Sequence, residues 1–161
     1  MDNIQAIKEQ YLADQSFTED KRKLVSFHIG SEEFAIDITM VHEIFKLVDI
    51  TLVPKAPYYV EGVINLRGRV IPIINIRKRL GLPVRSYDKD TKIVVVEINK
   101  KILGFIVDAV SEVIEISSTT IEPPPSIMGE VDSEFISGVG KLNDRLLVLL
   151  DLEKVLTQKN K

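Results

Sequence analysis

Shifted by 76 positions without a gap, "GVINLRGRVIPIINIRKRL" (62–80) lies over "GVGKLNDRLLVLLDLEKVL" (138–156). Gly62 falls on Gly138, Val63 on Val139, Leu66 on Leu142, Arg69 on Arg145, Lys78 on Lys154 and Leu80 on Leu156. These are six identities in 19 positions, where average residue usage gives roughly one. A shift of 69 brings Val41 onto Val110, Glu43 onto Glu112, Thr51 onto Thr120 and Pro54 onto Pro123. Both halves therefore run through a strand, a hairpin, a V-x-E segment, a proline loop, a G-V-x-x-L hairpin and a capped helix. A half of about 65 residues with about five short strands is marginal as a lone domain. The predicted fold is all-β with a few short helices, made of two pseudo-symmetric five-stranded SH3-like β-barrel subdomains that share one hydrophobic core.

Period-two patterning supports this. "LVSFHIG" (24–30) places Val25, Phe27 and Ile29 on one face and Ser26 and His28 on the other, as a half-buried strand requires. "KIVVVEI" (92–98) and "ILGFIVD" (102–108), joined by "NKK", read as a hairpin, and "RLLVLLD" (145–151) reads as a fully apolar strand. Asn75 is placed to cap "IRKRL", with Gly81 at its end and Pro83 beyond, and Asp151 to cap "LEKVL". "MVHEIF" (40–45) is expected to be a turn or two of helix. Residues 1–23 are expected to form an arm and linker with a short helical spacing at Ile4, Ile7 and Tyr11, residues 24–157 a single domain with interleaved subdomains, and 158–161 a tail.

Composition removes several classes of function. The chain has no cysteine, which excludes disulfides, thiolate metal sites and cysteine nucleophiles. The N-terminus lacks the pattern of a secretory signal and no apolar run is long enough to span a bilayer, so a soluble cytoplasmic protein is expected. A net charge of −3 argues against a general polyanion binder. No nucleophile elbow, phosphate-binding loop or H-E-x-x-H motif is present. His28 and His42 are read as ordinary surface or half-buried histidines, the latter on the polar side of a short helix. No enzymatic activity, cofactor or metal is expected.

Arginine is where the pattern becomes informative. Arg69, matched in the repeat by Arg145, reads as an outward-facing strand residue, and "RKR" (77–79) as the solvated face of a short helix. Arg67 differs, because the repeat breaks there: Arg67-Gly68 in the first half becomes Asn143-Asp144, an ordinary turn pair, in the second. A shared fold does not need that guanidinium. Two readings stand, an internal ion pair that orients a loop and a partner contact, with Glu43 the expected partner in the first.

The segments "VHEIFKLVDITLVPKAPYYVEGV" and "NLRGRVIPIINIRKRLG", followed by "GFIVDAVSEVIEI", "IEPPP" and "ISGVGKLNDRLLVLLDLEKVL", resemble the CheW family of chemotaxis coupling proteins over Leu24 to Leu156. Asn75 stands where that family usually has aspartate, which keeps the capping role, and the arm looks peculiar to this chain. The resemblance implies a non-enzymatic adaptor in the cytoplasm, recruited to membrane-associated arrays, which bridges the cytoplasmic tips of chemoreceptors to the regulatory domain of the histidine kinase CheA. It implies a receptor-facing groove between the barrels with Ile38, Val41, Glu43, Gly62, Arg67 and Val113, floored by Val41, Gly62 and Val113, in which Gly62 permits close approach of the receptor and Glu43 pairs with Arg67. It implies kinase contacts at Lys92 on one side and at Glu122 and Ile127 on the other, and a monomer in isolation. The alternatives are a CheW-like domain of CheV or of CheA, disfavoured because the chain ends at Lys161, and a small-barrel single-strand nucleic-acid binder, for which Tyr58 and Tyr59 are the only clustered aromatics near the arginines.

Overall fold

A computed structural model describes residues 4–14, 21–124, 131 and 133–157. In chain order these form helix α1 (Ile4–Asp14), strands β1 (Lys21–Ile29), β2 (Glu32–Asp37), β3 (Val41–Lys46), β4 (Val60–Leu66) and β5 (Arg69–Ile74), helix α2 (Ile76–Leu80), strands β6 (Lys92–Ile98), β7 (Lys101–Val107), β8 (Ala109–Ser117), β9 (Ile121–Glu122), β10 (Ile136–Leu142) and β11 (Arg145–Leu150), and helix α3 (Leu152–Thr157). The segment around residue 40 departs from expectation. Only Ile38–Met40 makes a 3-10 turn, and "VHEIFK" is strand β3, with His42 exposed on it. Its β-branched start pairs with β6 in register Val41↔Val96, and that pairing overrides a weak helical spacing.

The strands form two sheets, one of six in the order β8-β1-β2-β11-β10-β9 and one of five in the order β3-β6-β7-β5-β4. Placed side by side, the orders are the same list of repeat-equivalent strands, with one exchange. The hairpin β1–β2 of the first half sits in the sheet of the second half, and β6–β7 sits in the sheet of the first. Each sheet accordingly contains one parallel contact, Leu149↔Ala35 in one and Ile73↔Gly104 in the other, and these are the same pair under the two repeat shifts.

Alternation along the strands feeds two interiors at once. In β6, Ile93 and Val95 enter the core of the five-stranded sheet, while Val94, Val96 and Ile98 enter a larger core built from both sheets. In β11, Leu147 and Leu149 line the six-stranded sheet's own core, and Val148 and Leu150 the common one. Strands buried on both faces read as continuous apolar runs, which is why "RLLVLLD" shows no polar face. β1 follows the same rule: Leu24 and Ser26 are buried, not only Val25, Phe27 and Ile29. Phe27 joins the lobes, its ring 6.2 Å from Phe34 and 5.5 Å from Phe105.

Both helix caps form as expected. Asn75 Oδ1 accepts from Lys78 N at 3.2 Å and Gly81 closes α2 in the left-handed region, while Asp151 Oδ1 accepts from Lys154 N at 3.2 Å to start α3.

Candidate functional site

The β4–β5 hairpin turns on Arg67 and Gly68, with φ of 51° and 84°. Positive φ at both turn residues suits the right-handed twist of the flanking strands, but in an arginine it strains the backbone against Cβ. Asn65 Oδ1 accepts from Gly68 N at 2.9 Å and fixes the turn. From this perch the Arg67 guanidinium reaches Glu43 on β3 with two parallel bonds, Nη1 to Oε1 and Nη2 to Oε2, both 2.8 Å. Strands β3 and β4 are the two outer strands of the sheet, so the pair spans opposite edges. The chain beyond β3 makes the same closure at Thr51, whose N–H and C=O exchange hydrogen bonds of 2.9 Å with Val63 of β4.

Hydrogen bonding from Arg67 holds the Glu43 carboxyl below its usual range, and the carboxylate in turn raises the guanidinium. The Arg67 side chain is 68% exposed and that of Glu43 28%. The ion-pair reading and the partner-contact reading are therefore compatible: the pair forms, and it forms at the surface.

The other expected groove residues fall differently. Ile38 and Val41 are completely buried in the common core, and Val113 on β8 is partly buried against it. Gly62 is buried too. It sits at a bulge in β4 with φ of 153°, and a Cβ there would lie 2.3 Å from Thr51 O. Within the chain, the close approach that this glycine permits is that of Thr51. Its repeat mate Gly138 marks the equivalent bulge in β10, where the returning strand β9 crosses. Lys92 is half-buried on β6 with its Nζ on Asp90 O, and Glu122 is exposed on the edge strand β9. Ile127 lies outside the described residues.

Three arginines do more than the sequence suggests. Arg145 is not a plain outward residue like the exposed Arg69: it bridges Glu33 on β2, with Nε to Oε1 at 3.1 Å and a further contact from Nη2 to Oε2, and Glu112 on β8, with Nη1 to Oε2 at 2.6 Å. The V-x-E glutamates of both halves thus hold a hairpin arginine, though the two arginines, Arg67 and Arg145, are not repeat equivalents. The "RKR" of α2 is likewise no solvated face. Arg77 binds Asp108 (Nη2 to Oδ2 2.6 Å), which also accepts from Gly30 N at 2.7 Å and so ties α2 to the β1–β2 turn. Arg79 is buried, donates to the carbonyls of Val155 (2.5 Å) and Lys154 (3.1 Å) at the end of α3, and stacks on Tyr59 and Phe135. Only the repeat-matched glutamates 43 and 112 carry a sequence signal for this network.

Among the described residues there is no cluster of three metal-ligating side chains, and no helix is long and apolar enough to cross a membrane. What the fold does define is a pseudo-symmetric, two-sheet domain with a preformed surface ion pair between two sheet edges. The family model of the CheW-like domain matches residues 23–160. The chain is 41% identical over 142 residues to the chemotaxis protein CheW of Helicobacter pylori, covering 88% of this chain and 86% of that one, and 35% identical over 136 residues to that of Klebsiella aerogenes, covering 84% and 82%. The crystal structure of the scaffolding protein TtCheW from Thermoanaerobacter tengcongensis superposes with a TM-score of 0.79 at 40% identity, covering 86% of this chain and 91% of that one. The chain belongs to the CheW-like family of chemotaxis scaffold proteins.

Proposed function

We propose that this chain is a cytoplasmic, non-enzymatic adaptor that couples chemoreceptor tips to the regulatory domain of a CheA histidine kinase. One observation carries the reading. Arg67 occupies a left-handed turn position that the other half of the molecule fills with Asn143, a residue far better suited to it, and yet its side chain is held rigidly at the surface by Glu43. A strained, exposed and pre-oriented guanidinium serves recognition rather than folding.

In this reading the receptor's helical hairpin docks at the junction of β3 and β8, with Glu43, Arg67 and Val113 at the surface and Ile38 and Val41 beneath. Gly62 shapes that edge by seating Thr51. The kinase contacts fall on Lys92, and on Glu122 and Ile127. Calorimetric titration of wild type and Arg67→Asn against a receptor tip fragment and against the CheA regulatory domain tests it. Receptor affinity should fall at least about tenfold with kinase affinity unchanged. An Arg67→Asn variant that keeps its receptor affinity, or loses both partners equally, overturns the assignment.

A further inference from the structure

Helix α1 lies on the same ground. It packs against the Ile38–Met40 turn and β3. Ile4 is buried in the common core together with Ile38 and Val41, Ile7 rests partly buried on the same cluster, and Lys8 Nζ donates to the Val41 carbonyl at 3.1 Å. β3 is an outer strand, paired among the described strands only with β6, and edge strands are commonly covered by another element. The opposite side of α1 is exposed and carries a local Gln5–Glu9 hydrogen bond. An 11-residue helix is marginal by itself, so α1 owes its order to this docking. Among the described side chains the hold consists of two isoleucines and one lysine, a contact of the kind that opens locally without global unfolding.

We infer that α1 is an intramolecular occupant of the groove that receives the partner's helix, so that α1 docking and partner binding exclude one another. The inference rests on the receptor-groove reading above. It explains why Ile38 and Val41, expected at the groove, are fully buried here: they are covered while α1 is docked and become available when it leaves. The occupant itself shows what the site accepts, an apolar stripe spaced i, i+3 on a helix with a cation beside it, which is the helix-in-groove mode of recognition. Glu43 and Arg67, on β3 and at the β4–β5 turn, remain free to make first contact.

The test uses the full chain and a purified receptor tip fragment, with hydrogen exchange read on α1 and affinity read by calorimetry. In wild type, α1 should be protected when free and lose protection at saturation. The double variant Ile4→Glu, Ile7→Glu, with α1 undocked, should bind the fragment about tenfold more tightly, because the population held closed no longer taxes the affinity, and should bind the CheA regulatory domain as before. If α1 stays protected in the complex and the double variant binds no more tightly, the occlusion is overturned, while a continuing loss of binding in Arg67→Asn would leave the groove reading intact. If wild type and double variant both ignore the fragment, both readings fall. Should the double variant not fold, the exchange of wild-type α1 at saturation decides alone.

Discussion

Replacing Gly62 by alanine should be far more damaging than replacing Gly138, although the two are repeat equivalents. At Gly62 a Cβ would stand 2.3 Å from Thr51 O and 2.9 Å from Thr51 C, both backbone atoms, at φ of 153°. Reaching ordinary contact means moving Thr51 by about an ångström, which breaks the paired 2.9 Å bonds to Val63. Two net hydrogen bonds cost about 1–3 kcal/mol, and holding alanine at that φ adds about 1–3 kcal/mol. A loss of about 4 kcal/mol is a large share of a typical total of about 5–15 kcal/mol. At Gly138 the nearest atom is Ile121 Cγ2 at 2.8 Å, a side-chain methyl and not backbone, then Glu122 O at 3.2 Å, and the backbone is not left-handed. Overpacking of that kind costs about 1–2 kcal/mol. Urea unfolding followed by far-UV circular dichroism separates the two by midpoint at constant slope. Equal losses in the two variants, or a Gly62→Ala protein within about 1 kcal/mol of wild type, would refute the assignment of Gly62 to the Thr51 contact.

Arg67→Asn should leave the thermal midpoint within about 3 °C of wild type, since relief at a left-handed turn offsets a surface pair; a collapse of stability measured by calorimetry would make the arginine a folding residue. Arg79→Ala should cost about 3 kcal/mol through lost carbonyl bonds and ring contacts, with faster amide exchange concentrated in α3. Glu33→Gln should weaken the fold at neutral pH only. Burial pushes the Glu33 carboxyl up, but the hydrogen bonds and the charge of Arg145 outweigh it and hold the group below its ordinary 4.5. A depressed folded value stabilises above pH 4.5, and this is lost as pH falls through that folded value. The variant should therefore trail wild type by about 1 kcal/mol at pH 7, and the gap should close in strong acid; a gap equal at both ends of the titration would count against the bridge.

The repeat, the β6–β7 hairpin and both helix caps were legible because each is local or is echoed at a fixed offset. The Arg67–Glu43 pair was legible through a break in that echo. The exchange of hairpins between halves was not, since periodicity tells which strands are buried but not which copy of a partner each will choose. Arg79 escaped for a related reason: its acceptors Lys154 and Val155 lie at the far end of the chain, and a basic cluster in a short helix looks solvated until the second helix is packed on it. β3 escaped because six residues with one weak spacing fit a helix turn as well as an edge strand.

A duplicated fold supplies two of everything, so specific function resides where the copies differ. Arg145 is clasped by two carboxylates on two strands, which neutralises it and spends its donors inside the molecule. Arg67 is clasped by one, through two of the five donors a guanidinium carries, and among the described residues the others have no partner. Glu43 fixes the plane of that guanidinium and removes the rotamer entropy a partner would otherwise have to overcome on binding. In this scheme Glu43 acts through Arg67. Glu43→Ala and Arg67→Ala should each weaken receptor-tip binding, and the double variant should be hardly worse than Arg67→Ala alone. A double-mutant cycle measures this coupling directly. Strictly additive losses would mean that Glu43 meets the receptor independently, and the pre-orientation argument would fail even with the ion pair in place.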